Sequence, residues 1–249
     1  MNPSDFADAV ADQWHELYGT SRLEVPMSVL ATLVLRQHLV IPAGENTDTA
    51  GFLSGQQRTW EAAAQWWPYL HHRWECFTDW PTWPDHHHTT QAATVFALRL
   101  RTLGVIEHLR TLTHRQDFLG AVLHRMRTPM ANTAPNPLRA DVPCPAHLQQ
   151  DMPVQTITLD QVGTGHRILG VVTMLRTRGI DPARVTWHLR EIGELAAAVL
   201  CVNLATWRVA DPDRANVLVS TSEDDDWIQA ERELRAEALW ALLNPPFGF

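Results

Sequence analysis

The sequence predicts an α/β protein in two parts: a helical N-terminal domain over residues 1–127 and a partial parallel α/β sheet over residues 154–249. Three observations predict it. Apolar residues of the first half recur at helical spacing, as in Phe6, Val10, Trp14 and Leu17. Residues 128–153 then hold six prolines, at 129, 135, 137, 143, 145 and 153. Proline has no amide donor and restricts its predecessor, so this stretch is a linker and the domain boundary. Beyond it, short runs rich in β-branched residues alternate with helical segments, the order that builds a parallel sheet.

Each element follows from its residues. A first helix is expected over residues 4–18 with Ser4 as N-cap. A second is expected over about 27–40, with Pro26 near its start, where proline is tolerated. Residues 41–55 are polar and contain glycine, a loop. A third helix is expected over about 56–76, broken by Asp79-Trp80-Pro81-Thr82-Trp83-Pro84 and the histidines that follow. Two more are expected over about 89–112 and 115–127. In the second part, residues 154–159 (VQTITL), 185–192 and 216–220 are expected strands. Helices are expected over about 166–178, 194–207 and 224–237, the last with Asp224, Asp225 and Asp226 in its first turn, where the dipole favours anions. The apolar run Ala238–Leu243 is expected as a fourth strand.

Composition excludes several classes. The 249 residues are 45% hydrophobic, enough for a sizeable core. No run of eighteen apolar residues occurs, which argues against a membrane span. The opening MNPSDFADAVADQWHEL carries acids where a secretory signal needs a basic end and an apolar block. The odd set Cys76, Cys144 and Cys201 fits reduced thiols in the cytoplasm. A net charge of −8 argues against coating nucleic acid by charge alone, while a locally basic groove stays open. All twenty basic residues are arginine.

Three motifs carry chemistry. Asp160-Gln161-Val162-Gly163-Thr164-Gly165 follows the first strand and precedes a helix. Strand, G-x-G turn and helix are the local form of a nucleotide crevice, and equally of an ordinary tight turn. Glu191 ends the second strand, 26 residues after Gly165, where an acid can accept from both ribose hydroxyls or simply face solvent. Asn244-Pro245-Pro246-Phe247 follows the fourth expected strand. An asparagine oxygen and a proline-flanked carbonyl can both accept from one amino group, and the ring can stack on a flat base.

On these residues the chain resembles the adenine-specific DNA methyltransferases, in particular the modification subunits of type I systems. Asn244–Phe247 is similar to their amino-methyltransferase signature, Asp160–Gly165 to their cofactor loop, and Glu191 with Asn203-Leu204 to the acid and helix that follow. Asp117-Phe118-Leu119-Gly120 resembles their helical approach. The resemblance covers residues 115–249. It implies a Rossmann-like sheet, with S-adenosylmethionine as cofactor near Gly163 and Gly165 and its ribose on Glu191. Asn244 and the Pro245 carbonyl would hold the flipped adenine's amino group, and Phe247 would stack on the ring. The implied partners are double-stranded DNA and a specificity subunit or a chain that supplies further strands, in restriction-modification or phage defence. Fewer strands are expected than in a complete methyltransferase sheet, as in a truncated or split member. Gln161 and Gly193-Glu194 stand where the family has Pro and Asp-Pro.

Two other functions fit the same sequence: a non-catalytic DNA-binding or protein-interaction subunit retaining a degenerate form of the fold, and methylation of glutamine or another amino group. Other features have plainer readings. His86-His87-His88 with His71, His72 and Cys76 fits no zinc spacing and reads as a polar loop without metal. Trp60, Trp67 and Trp74 recur every seven residues and read as packing rather than base stacking. The arginines between Arg99 and Arg127 suit phosphate contact or a solvated helix face.

Overall fold

A helix that is apolar on every side must be buried on every side. Two helices of this chain meet that description, and the rest of the molecule is arranged around them. The computed structural model describes residues 3–41, 48–112, 116–127 and 156–244. Among these residues the protein is mixed α/β, with ten helices and one three-stranded parallel sheet. The first central helix is α2 (Glu24–His38), in which Val25 to Thr32 are all buried. The second is α9 (Glu194–Thr206), buried from Ala196 to Thr206.

The helical part begins with α1 (Pro3–Leu17), whose stripe of Phe6, Val10 and Trp14 faces the core. Ser4, expected as its cap, lies inside the first turn and accepts a hydrogen bond from Arg125 at 3.1 Å. α3 (Thr49–Trp66) starts earlier than expected because the Asp48 side chain caps it, accepting from the Gly51 amide at 3.0 Å. It also ends earlier, at Trp66, and from Pro68 a 3-10 turn (Pro68–Trp74) leads into the short α4 (Glu75–Thr78). A helix expected as one piece is two, α5 (His86–Thr102) and α6 (Val105–Leu112), divided at Gly104 with φ +70. α7 (Phe118–Met126) completes this part and packs on α1 and α9.

The sheet is ordered β1-β2-β3, all parallel. β1 (Thr156–Asp160) pairs with β2 (Thr186–Arg190) from Thr156 opposite Thr186 to Asp160 opposite Arg190. β3 (Val217–Ser220) lies on the far side of β2, with Trp187 opposite Val217. α8 (His166–Thr177) and α9 make the crossovers that parallel strands require. β3 is buried at all four positions, as a strand covered on both faces is. This arrangement is compatible with part of a Rossmann-like sheet.

The fourth expected strand is corrected by the structure. Residues 238–243 are the last turns of α10 (Trp227–Leu243), which also absorbs the charged helix expected before them. The run is apolar but contains no β-branched residue, and Ala and Leu are strong helix formers. Asp226 precedes α10, so the three aspartates stand before its first turn rather than inside it.

The expected linker over residues 128–153, with Cys144, lies outside the described residues. The parts on either side share one hydrophobic core, to which Trp14, Leu30, Trp74 and Trp80 contribute along with Trp187, Leu200 and Trp207. A buried ion-pair cluster crosses the same seam. Glu231 of α10, 2% exposed, pairs with Arg73 and accepts from His72 Nε2 at 2.7 Å. Arg73 also donates to the Val219 carbonyl at 2.9 Å and to Thr221 at 2.8 Å. Trp60, Trp67 and Trp74 are buried, and the Trp67 indole donates to the Ala210 carbonyl at 3.1 Å. Among the described residues no helix is long and apolar enough to cross a membrane.

Candidate functional site

Parallel α/β sheets bind ligands beyond the carboxyl ends of their strands. At the end of β1 the chain turns sharply: Gln161, Gly163 and Gly165 have φ of 50, 56 and 104. The two glycines serve different ends. A side chain on Gly165 would come within 2.8 Å of Leu200 and 3.0 Å of Trp207, so this glycine lets the turn seat against α9. A side chain on Gly163 would meet nothing within 4 Å. Gly163 is needed for its backbone angle, and the space beside it is open.

Glu191, one residue past β2, reaches back over this turn. Its Oε2 accepts from the Gly163 amide at 2.7 Å and its Oε1 from the Gly193 amide at 3.1 Å. Each oxygen keeps a lone pair for a further donor. The carboxylate thereby ties the end of β2 to the turn after β1, and it also occupies an amide that would otherwise face a ligand. Asp160 is committed elsewhere. Both its oxygens accept from Arg190, Oδ1 from Nε at 2.7 Å, and this hydrogen bond holds its carboxyl below the usual carboxylate range. Arg190 also donates to the carbonyls of Glu223 and Asp224 and stands over the Trp227 ring. Gly163 and Glu191 are therefore brought together, Gly165 supports the turn from below, and Asp160 serves as the partner of Arg190.

Beneath the turn lies a cluster whose role sequence reasoning missed. Asp117 is fully buried and caps α7, accepting from the Gly120 amide at 2.9 Å. Its other oxygen accepts from the Thr164 hydroxyl at 2.5 Å. Asn203 of α9 donates to Asp117 Oδ1 at 2.7 Å and to the Thr164 carbonyl at 2.8 Å. Burial pushes the Asp117 carboxyl up to about 6, against the opposing pull of these hydrogen bonds and of His166. A side chain on Gly120 would collide with Thr164 and with Asp117 itself. The sequence signal was the aspartate one residue ahead of an apolar helix with glycine three positions on, a cap pattern. Nothing local showed that the cap also binds Thr164 and Asn203.

A crevice of about 530 Å³ opens between α10, the 3-10 turn with α4, and the start of α9, with Cys76, Glu194, Thr221 and Glu237 among the residues lining it. The turn after β1 is not part of its wall. Burial raises the Cys76 thiol to about 12, so it stays protonated at neutral pH. Ala241 also lines this crevice, and Asn244 stands one turn beyond it at the end of α10. Asn244 is exposed, and its side-chain amide donates to the Trp240 carbonyl at 3.0 Å. It thus follows a helix and not the strand from which its role was read. Pro245, Pro246 and Phe247 lie outside the described residues.

His86, His87 and His88, expected in a loop, form the first turn of α5, where His86 Nδ1 donates to the Trp83 carbonyl at 2.9 Å and its ring lies tilted against that of His87. Among the described residues no group of three or more His, Cys, Asp or Glu side chains is placed to hold a metal ion. No protein-family model, no curated protein and no solved structure matches this chain.

Proposed function

We propose that this chain carries the cofactor-binding part of an S-adenosylmethionine-dependent methyltransferase acting on the exocyclic amino group of adenine in DNA, in restriction-modification or phage defence. The observation that supports it best is the contact between Glu191 and the Gly163 amide. It sets a carboxylate with spare lone pairs beside an open glycine turn, at the carboxyl ends of two adjacent parallel strands. A ribose offers two hydroxyl donors to such a carboxylate, and the bare Gly163 backbone lets a cofactor approach. S-adenosylmethionine, when bound, would supply the methyl group on its sulfonium. Glu191 would hold the ribose and Gly163 would line the path of the methionine moiety. Asn244, Pro245, Pro246 and Phe247 enter the proposal through the family signature, as the adenine-binding group. Double-stranded DNA and a specificity subunit, or a chain adding strands beside β1, are the partners in this reading.

The test is calorimetric titration of S-adenosylmethionine into the protein and into a Glu191→Ala variant, with a thermal melt of each. Binding by the wild type that weakens at least about tenfold in the variant is expected, since hydrogen bonds to a charged group contribute about 1.5–3 kcal/mol. Absence of binding by the wild type refutes the cofactor reading.

A second reading has an observation of its own. Asn244 ends a helix and spends its amide on that helix, which suits a non-catalytic DNA-binding or protein-interaction subunit. An Asn244→Ala variant that changes no phenotype, in a protein that transfers no methyl group to DNA, would favour it.

A further inference from the structure

Three residues that stability alone would not select converge beneath the turn after β1. Asp117 is a carboxylate with no exposure, and a buried carboxylate is expensive to desolvate. Asn203, 4% exposed, is an amide in α9, a helix buried mainly through Ala, Val and Leu. Gly120 stands in the first turn of α7, where glycine is less favourable than alanine. Residues that break local rules in one place mark a site where geometry outweighs stability.

What the three share is Thr164. Its hydroxyl donates to Asp117 Oδ2 at 2.5 Å, and its carbonyl accepts from Asn203 Nδ2 at 2.8 Å. Asn203 also donates to Asp117 Oδ1 at 2.7 Å, so the carboxylate and the amide brace each other. A side chain on Gly120 would collide with the Thr164 hydroxyl, so the glycine is what leaves room for it. Thr164 adjoins Gly163, whose amide donates to Glu191 Oε2 at 2.7 Å. The turn is thus held on both sides: Thr164 from below by Asp117 and Asn203, and Gly163 from above by Glu191. The hold is needed because glycines at 163 and 165 give this stretch of backbone wide freedom. Valine would fill the space of Thr164 without a hydroxyl, so the hydroxyl adds direction and not burial. The anchor comes from the helical part of the chain, since Asp117 caps α7.

We propose that Asp117 is a positioning residue for the ligand turn: through Thr164 and Asn203 it fixes how the Gly163 amide and Glu191 face a bound molecule, and so makes binding at the sheet depend on the helical part. The proposal rests on the reading of that turn as the cofactor site. A positioning role differs from a purely structural one in where its loss is felt. Loss of packing loosens every element, whereas loss of positioning frees the turn and leaves the strands in order. The test follows exchange of single backbone amides by NMR in the full chain, beside titration with S-adenosylmethionine. Thr164→Val removes one hydroxyl from the network. It is expected to speed exchange of the Gly163 amide about fivefold, within the roughly two- to tenfold effect of one net hydrogen bond. The Glu191 amide, bonded to the Ser220 carbonyl at 2.9 Å, is expected to exchange as in the wild type. Thr164→Ser keeps the hydroxyl and is expected to restore the Gly163 rate. Affinity for S-adenosylmethionine is expected to fall several-fold in Thr164→Val and to recover in Thr164→Ser. Asp117→Ala is expected to free the turn as Thr164→Val does, and the Thr164 pair decides the matter if that variant fails to fold. An unchanged Gly163 rate in Thr164→Val, or equal acceleration of the Glu191 amide, overturns the proposal. The expected exchange pattern in a protein that binds no S-adenosylmethionine would fault the cofactor reading and uphold the positioning of the turn.

Discussion

Replacing Asp117 by asparagine separates its charge from its shape. The wild-type carboxyl has its pKa raised from 3.8 to about 6, with burial as the main cause. A group whose folded pKa is raised binds its proton more tightly in the folded state. Its stabilising contribution is full below the unfolded pKa and is lost as pH rises through the folded one. Between about pH 7.5 and about pH 5 this linkage adds roughly 1.4 kcal/mol to wild-type stability. Three donors face the carboxylate: the Gly120 amide of its own helix, Thr164 from the turn after β1, and Asn203 from α9. His166, at the start of α8, is the nearby group of positive sign. In Asp117→Asn the remaining oxygen keeps the Gly120 and Asn203 bonds, and the new amide donates to the Thr164 hydroxyl, which can turn to accept it. The variant is therefore expected to fold, and to lose about 1.4 kcal/mol of the pH dependence over that interval. Asp117→Ala instead strands all three buried donors and is expected to cost about 3 kcal/mol or more, at roughly 1 kcal/mol each as a lower bound. Urea unfolding of the three proteins at the two pH values measures both effects. An Asp117→Asn variant with the full wild-type pH slope would refute the assignment of the shift to this residue.

Two further predictions concern the joints of the molecule. Glu231→Ala leaves Arg73, 10% exposed, without its buried partner across the seam between the two parts; a loss of about 3–5 kcal/mol in unfolding free energy is expected, and a melt within a degree or two of wild type would contradict it. Gly163→Ala meets only a backbone penalty of about 1 kcal/mol, whereas Gly165→Ala adds overpacking against Leu200 and Trp207 for a total of about 3 kcal/mol. Equal melting temperatures for the two variants would show that Gly165 does not seat the turn as described.

Much of the fold is legible in the sequence because its signals are local. The stripe of Phe6, Val10 and Trp14 predicts α1, and the β-branched runs predict β1, β2 and β3 within one or two residues. The error at residues 238–243 has a local cause as well. Apolarity alone does not separate a strand from a buried helix end, and Ala-Leu-Trp-Ala-Leu-Leu lacks the β-branching that would decide for a strand. The candidate site was legible only in outline. Gly163 and Glu191 meet as their spacing suggested, but Asp160 is taken by Arg190, its register partner on β2, a pairing that exists only once the strands align.

What the sequence determined by itself is thus the first helix, the three parallel strands and their order, the glycines at the end of β1 and the acid at the end of β2. Periodicity, capping and backbone freedom act over a few residues and can be read there. The tertiary structure alone decided which polar groups share a partner. Asp117, Thr164 and Asn203 span 86 residues, and Arg73 and Glu231 span 158. Burial raises the cost of leaving any of these groups unpaired, and burial is set by how the helical part closes on the sheet, which no local segment encodes.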